Sequence, residues 1–205
     1  MKAALEILSE TQSVEISLRE LARRAGVSHN APYKHFADKR ELLAAVSAVG
    51  FDRLTSRMTR AMAGLGNARQ QLCAILRVYV EHGVENPALY RLMFGDHLSG
   101  PDFSRPAIER AEGDETKDLL AQVILAGGLG RPIANTAHNE PKISGAILAC
   151  WSLVHGLTML VADGLVGPSS KAGALAEAVV RGMLDGLGTP LPSSPPGTWV
   201  GPGHT

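Results

Sequence analysis

The chain has 205 residues, of which 45% are hydrophobic and 4% are aromatic, and its formal net charge is zero. This length accommodates one large domain or two small ones with a real core. The zero net charge excludes a global electrostatic attraction to nucleic acid or membrane, so any basic surface must be local. Because alanine and leucine fill the apolar positions, helices are favoured over sheets.

The cysteines and the N-terminal residues indicate the compartment. Cys73 and Cys150 both lie in apolar surroundings of helical pattern, which is typical of free thiols in a reducing cytosol. The first ten residues, MKAALEILSE, contain no apolar signal-peptide core. We therefore expect a cytoplasmic protein.

Two short helices are predicted at the start of the chain. Residues 3–8 have an amphipathic pattern that predicts a first helix, with too little chain before it for a basic arm. Ser17 and Glu20 have the spacing of a capping box, in which the serine accepts from the glutamate N–H and the glutamate reaches back. A second helix is therefore predicted from Ser17, and Gly26 stands where a left-handed residue would end it.

A turn and another short helix follow, which completes a helix-turn-helix arrangement. Pro32 limits where the new helix begins. If Ser28 is the cap, the proline removes the first intrahelical bond, and if Asn30 is the cap, the proline falls in the tolerated first turn. Both alternatives predict a short helix with a frayed or shifted start. Asp38 then caps a further helix that continues to about Leu65.

The surface of the short helix is rich in hydrogen-bonding side chains. Tyr33 and Phe36, three residues apart, are expected to anchor it against the apolar side chains of neighbouring helices. The side chains that then face outward are Ser28, His29, Asn30, Lys34 and His35. Such donors at a helix N-terminus suit phosphate oxygens and base edges in a major groove. The alternative is an ordinary solvated helix face.

The run SLRELARRAGVSHNAPYKHFADKRELLAAV, from Ser17 to Val46, resembles the DNA-binding domain of the TetR family of bacterial one-component transcriptional regulators. The Ala-Gly-Val-Ser turn, the Tyr-x-x-Phe pair and the Asp-Lys start of the next helix are all in register. The resemblance implies an all-α homodimer. Its N-terminal three-helix DNA-binding domain would occupy residues 1–48, and a helical ligand-binding and dimerisation domain would occupy residues 49–187.

The resemblance also implies which side chains meet double-stranded DNA. Phosphate contacts are implied for Ser17 and Ser28, base contacts for His29, Asn30 and Ala31, and contacts to the DNA backbone for Tyr33, Lys34, His35 and Lys39. The chain departs from the family pattern because it lacks the usual lead-in before the first helix. Residues 1–57 contain nine Lys and Arg against seven Asp and Glu, so a local charge of +2 predicts salt-dependent binding without a large basic field.

The second half of the chain contains an apolar helix and a helix with small residues. Residues Ile143 to Ala162 include no Asp, Glu, Lys or Arg and are long enough to cross a bilayer. The polar residues within this run favour a helix buried on both faces, and membrane attachment is the alternative. The next helix pairs the apolar stripe Leu175, Val179 and Met183 with the small residues Ala174, Ala178, Gly182 and Gly186. In a dimer, these two helices from each subunit are expected to form a four-helix interface.

A second resemblance concerns this half of the chain. Trp151, His155 and Gly156, together with PALYRLMFG upstream, resemble a C-terminal domain type named for its Trp-His-Gly motif in a subset of TetR-like regulators. Residues 188–205 contain nine Gly or Pro in eighteen residues and are expected to form a disordered tail.

Catalytic and metal-binding patterns are weak. Glu81, His82 and Glu85 share a helix face that could bind a metal, but a salt-bridge face is favoured because no Cys or His pair has ligand spacing. The only nucleophile-like trio, Cys150, His155 and Asp163, is scattered around one helix, and a thiol sensor at the cysteines is likewise disfavoured. We expect no enzyme, no cofactor and no metal.

These patterns lead to one hypothesis and its competitor. The hypothesis is a dimeric transcriptional repressor that a small apolar effector releases from a palindromic operator. The competitor is a dimeric helical sensor or scaffold without DNA binding. The sequence does not identify the residues of an effector pocket.

Overall fold

A computed structural model describes residues 1–95, 114–126 and 145–188. Its α-helices are α1 (Lys2–Thr11), α2 (Leu18–Ala25), α3 (Lys39–Met62), α4 (Ala68–Glu85), α5 (Pro87–Phe94), α6 (Asp114–Ala126), α7 (Gly145–Ala162) and α8 (Ala172–Gly188). Two 3₁₀ turns lie at Pro32–Lys34 and Ser169–Lys171. The described ranges contain no strand, and the predicted all-α class is confirmed. The predicted tail falls outside them from residue 189 onward.

The predicted starts of α2 and α3 are confirmed by single hydrogen bonds. Ser17 Oγ accepts from the backbone N–H of Glu20 at 3.1 Å, and Asp38 accepts from the N–H of Glu41 at 2.8 Å. Gly26 ends α2 at φ 67°, a left-handed conformation that favours glycine. The Glu20 carboxylate does not complete a capping box, because it accepts from the guanidinium groups of Arg23 and Arg24 instead.

Helix α3 joins the two halves of the chain. It runs for 24 residues without interruption, so the predicted boundary at residue 48 lies inside a helix and not in a linker. The first turns of α3 bury Leu42 and Leu43 in the core, and the later turns pack on α4 and α5. The same helix therefore contributes to the N-terminal core and to the packing of α4 and α5.

The core is organised around α4, which packs against α3, α7 and α8. Its buried side chains are Leu72, Ile75, Leu76, Tyr79, Val80 and His82. Gly83 permits a close approach to α7, because a Cβ at this position would overlap the Thr158 methyl group and the Tyr90 ring.

Helix α7 contains the long apolar run, and it is not buried on both faces within the single chain. Only 28% of its residues are buried. The face toward the core carries Cys150, Val154, Leu157 and Val161, while Leu148 and Leu160 are 47% and 42% exposed. By length and composition α7 could cross a membrane, but a single such helix is weak evidence, because core helices pass the same test.

Candidate nucleic-acid interface

The segment between α2 and α3 is a series of tight turns. The N–H of Ala31 donates to the Ser28 carbonyl at 2.9 Å, and the N–H of Lys34 donates to the Ala31 carbonyl at 3.2 Å. Pro32 has no N–H, so it cannot bond to the Ser28 carbonyl as an α-helix would require. The predicted short helix is accordingly reduced to the 3₁₀ turn Pro32–Lys34, and its start is shifted past both predicted caps.

The inward face of this segment differs from the prediction. Pro32 is buried, and Phe36, four residues later, packs against the core as expected. Tyr33 is 50% exposed, so its predicted role as an anchor is wrong. Because Pro32 takes the inward position, the neighbouring tyrosine turns outward, where the edge of its ring meets the ring of His29 at a centroid distance of 6.1 Å.

Seven predicted DNA-contacting residues lie in this one segment, and we call them the recognition surface: Ser28, His29, Asn30, Ala31, Tyr33, Lys34 and His35. Six of them are exposed and Ala31 is partly exposed. The ammonium of Lys34 and the imidazole of His35 form no hydrogen bond or ion pair with any residue that the structure describes. Their donors are therefore available to a ligand.

The two remaining predicted residues lie at helix starts and already have partners. Ser17 Oγ caps α2 as an acceptor, which leaves its hydroxyl proton free to donate. Lys39 Nζ lies 2.8 Å from Glu15 Oε2, so a phosphate that approached Lys39 would compete with this carboxylate. Ser17 is exposed and Lys39 is partly exposed, and each already has a hydrogen-bond partner within the chain.

Ion pairs reduce the positive charge of the N-terminal helices. Arg23 donates to Glu20 at 2.6 and 2.8 Å, and Arg24 bridges Glu20 and Glu10. The Arg23 guanidinium, together with Arg24, lowers the pKa of Glu20 to about 2. Sequence reasoning did not anticipate the pair between Arg24 and Glu10, which fastens α2 to α1. Since these arginines are neutralised, Lys34 is the cation of the recognition surface that is free to meet a phosphate.

The body of the protein contains a hydrogen-bonded network of the buried Tyr79 and Tyr90 and the partly buried Trp151 and His155, which we call the aromatic network. Trp151 Nε1 donates to Tyr79 Oη at 3.1 Å, and Tyr90 Oη donates to Tyr79 Oη at 3.0 Å. Tyr90 Oη also lies 2.7 Å from His155 Nδ1. The tautomer of the imidazole decides which of these two atoms donates to the other.

Burial sets the protonation of the aromatic network. It lowers the pKa of His155 and raises the pKa of Tyr79 to about 12, so the imidazole and both phenols are neutral at pH 7. The network joins α4, α5 and α7 in one hydrogen-bonded unit. The resemblance to the Trp-His-Gly domain type pointed to Trp151 and His155 and, through PALYRLMFG, to the segment that contains Tyr90, but not to Tyr79.

The structure does not assemble the other candidate sites that the sequence suggested. Glu81 pairs with Arg77 and Glu85 pairs with Arg57, as a salt-bridge face requires. Across the described ranges no group of three His, Cys, Asp or Glu could hold a metal ion. The trio on α7 is not assembled, since His155 bonds to Tyr90 and Asp163 pairs with Arg91. Burial raises the pKa of the Cys150 thiol to about 11, which makes it unreactive at pH 7.

Two family models match the chain. The model for bacterial regulatory proteins of the tetR family matches residues 1–46, and the model for the tetracyclin repressor-like C-terminal domain matches residues 72–183. Together they include the recognition surface and the aromatic network. The chain belongs to the TetR family.

Individual relatives agree with this placement. The HTH-type transcriptional activator FasR of Mycolicibacterium smegmatis is 32% identical over 123 residues, which are 58% of this chain and 56% of the relative. The chain spans about half the length of the curated relatives it matches. A solved protein of unknown function from Rhodococcus sp. RHA1 is 29% identical, with 88% of this chain and 91% of that chain covered and a TM-score of 0.67.

A Rhodococcus RHA1 regulatory protein in the tetR family shares the fold at 20% identity, with 88% and 92% of the two chains covered and a TM-score of 0.60. TetR-family regulators bind DNA and act as dimers, and their fold is that of transcriptional regulators and not of enzymes. The recognition surface of this TetR-family chain therefore lies in the half of the molecule that meets DNA in the family.

Proposed function

We propose that this TetR-family protein is a dimeric repressor that binds a palindromic operator through its two recognition surfaces, which enter successive major grooves about 34 Å apart. The observation that carries the proposal is the exposed, largely unpaired set of donors held on the segment between α2 and α3. A solvated face with no ligand would not need this concentration of donors on so short an element.

The positions of the side chains support a division of roles. His29, Asn30 and Ala31 lie at the tip of the turn, before the proline, and are suited to base edges, where an asparagine pairs best with adenine. Tyr33 and Lys34 lie beyond the proline and are suited to phosphates, as are His35 and the flanking groups Ser17, Ser28 and Lys39.

The proposed dimer interface is the outer face of α7 and α8. The small residues of α8 are exposed in the single chain, at a constant spacing of four residues: Ala174, Ala178, Gly182 and Gly186. Such a stripe allows a second helix to approach closely. The exposed leucines of α7, Leu148 and Leu160, would be covered in the same dimer. This accounts for a long apolar helix without a membrane and supports a soluble, cytoplasmic protein.

The proposed effector is a small apolar molecule that enters the helical body near the aromatic network. Phe94 of α5 contacts the rings of Trp151 and His155, and its ring lies 5.2 Å from that of Phe51 in α3. An effector that displaced these rings would move α3, which directly follows the recognition surface in the chain. Because the operator demands one separation of the two surfaces, an effector that prefers another separation lowers DNA affinity. No cofactor enters this scheme.

The test measures each variant against cognate and random duplex DNA. We expect Tyr33→Ala and Lys34→Ala to weaken binding to both, whereas His29→Ala and Asn30→Ala change the preferred sequence. Lys171→Ala removes an exposed lysine far along the chain and controls for net charge. Equal loss at cognate and random DNA from all four variants would contradict the division of roles, and binding by none of the proteins would favour the scaffold hypothesis.

Whether the protein represses or activates transcription needs a separate experiment, because the relative FasR is named a transcriptional activator. Expression of a reporter gene placed downstream of the selected operator is expected to fall when the protein is present. A rise in expression would replace repression by activation and leave the DNA-binding proposal intact.

A further inference from the structure

A pocket of about 460 Å³ opens between α3 and α4, away from the aromatic network. Its polar lining is Asp52, Arg53, Ser56, Arg57 and Arg60 from α3, His82 from α4, and Asn86. Arginines at positions 53, 57 and 60 follow helical spacing, so one face of α3 presents three guanidinium groups to this pocket.

His82 is the unusual member of this lining. Its side chain is 2% exposed, yet neither Nδ1 nor Nε2 has a hydrogen-bond partner among the described residues. Burial, and then the nearby charge of Arg57, lower the pKa of the imidazole to about 4, so the ring is neutral at pH 7. A neutral imidazole offers one donor and one acceptor, and leaving both unsatisfied in a buried site is costly.

The charge of the pocket is defined by its ion pairs. Arg57 donates to Glu85 at 2.5 and 3.3 Å and is neutralised. Arg53 forms no hydrogen bond or ion pair within the described ranges, and Arg60 donates only to the Ser56 carbonyl of its own helix at 3.2 Å. The two arginines therefore outweigh the single carboxylate of the lining, Asp52, and the pocket retains a net charge of +1.

We propose that this pocket binds a small hydroxycarboxylate. The planar carboxylate lies between Arg53 and Arg60, whose guanidinium groups match its geometry, and its single charge equals the net charge of the pocket. The hydroxyl bonds to one ring nitrogen of His82, donating to it or accepting from it according to the tautomer. The ligand class thus follows from two independent features, the unpaired arginines on α3 and the unpartnered buried histidine on α4.

Because of the position of the pocket, binding of the ligand is expected to change the affinity of the protein for DNA. Arg53 and Asn86 also line a small crevice with Leu5, Leu8 and Ser9 of α1, so the pocket adjoins the junction between the N-terminal helices and the body. A ligand held by α3 and α4 together fixes the angle between them. This consequence rests on the proposed DNA-binding function, whereas binding of the ligand does not.

The test is calorimetric titration of the full-length protein with lactate, 3-hydroxybutyrate and gluconate, and with propionate, butyrate and inorganic phosphate for comparison. We expect saturable binding of at least one hydroxycarboxylate. Its affinity should fall about tenfold or more in Arg53→Gln and in Arg60→Gln, since each removes a charged hydrogen bond. Arg181→Gln removes an exposed arginine of α8 and should leave the affinity unchanged.

The histidine is tested by the ring ¹⁵N resonances of His82, which should shift on binding of the hydroxycarboxylate and not on addition of propionate. His82→Leu replaces the imidazole by an apolar side chain. This variant should no longer bind the hydroxycarboxylate more tightly than the carboxylate without the hydroxyl. Absence of saturable binding, equal binding of phosphate, or equal loss in the Arg181 control would overturn the proposal. Ligand binding by a protein that binds no DNA would leave the site established and contradict only the proposed function.

Discussion

The hydroxyl of Tyr90 is the most informative single group in the body of the protein, because it forms hydrogen bonds with both Tyr79 and His155. The substitution Tyr90→Phe removes this oxygen and no carbon. It leaves His155 Nδ1 without its hydrogen-bond partner and leaves Tyr79 bonded to Trp151 alone. The loss of one buried and one partly buried hydrogen bond, at about 1 kcal/mol each, predicts a loss of about 2 kcal/mol in the free energy of unfolding.

The loss is measured by urea unfolding at one fixed protein concentration, since a dimer's stability depends on concentration. Tyr33→Phe is the matched control, because it removes the same atom from an exposed side chain and should change the free energy of unfolding by less than about 0.5 kcal/mol. If Tyr90→Phe were as stable as the wild-type protein, or no less stable than the control, the aromatic network would not hold α4, α5 and α7 together as argued.

Three further outcomes are expected. Lys34→Ala should reduce the slope of log affinity for DNA against log salt by about 0.9, and an unchanged slope would show that Lys34 meets no phosphate. The unfolded chain protonates His82 near pH 6.5 and the folded chain only near pH 4, so stability should fall by up to about 3 kcal/mol as pH drops through this window. His82→Leu should lose that part of the acid dependence in urea titrations compared at several pH values. Gly182→Arg, on the exposed face of α8, should shift the sedimenting species from dimer to monomer while the helical circular dichroism is retained.

Local features of the fold were predictable because they depend on residues within one helical turn. The caps at Ser17 and Asp38 and the left-handed Gly26 are all encoded by neighbours at most four positions away. The apolar stripe of α4 and the short, shifted element at Pro32 follow from the same local rules. The sequence therefore indicated the outward-facing side chains of this segment, Ser28, His29, Asn30, Lys34 and His35.

Features that depend on distant residues were not predictable in this way. The spacing of Tyr33 and Phe36 gave no indication that Pro32 would take the inward position and turn the tyrosine outward. The aromatic network joins Tyr90 to His155 across 65 residues, and no periodic pattern marks such a pair. The open face of α7 could not be inferred from its hydropathy, because burial by a partner subunit and burial within one chain select the same apolar residues.

The most direct test of the central claim is selection of binding sites from a pool of random duplexes by the purified full-length protein, followed by fluorescence anisotropy at two salt concentrations. We predict enrichment of a palindrome whose half-sites lie about one helical turn apart, with binding that weakens steeply as salt rises. A folded dimer that enriches no sequence, or binds all duplexes equally, would contradict the assignment of the recognition surface to operator DNA.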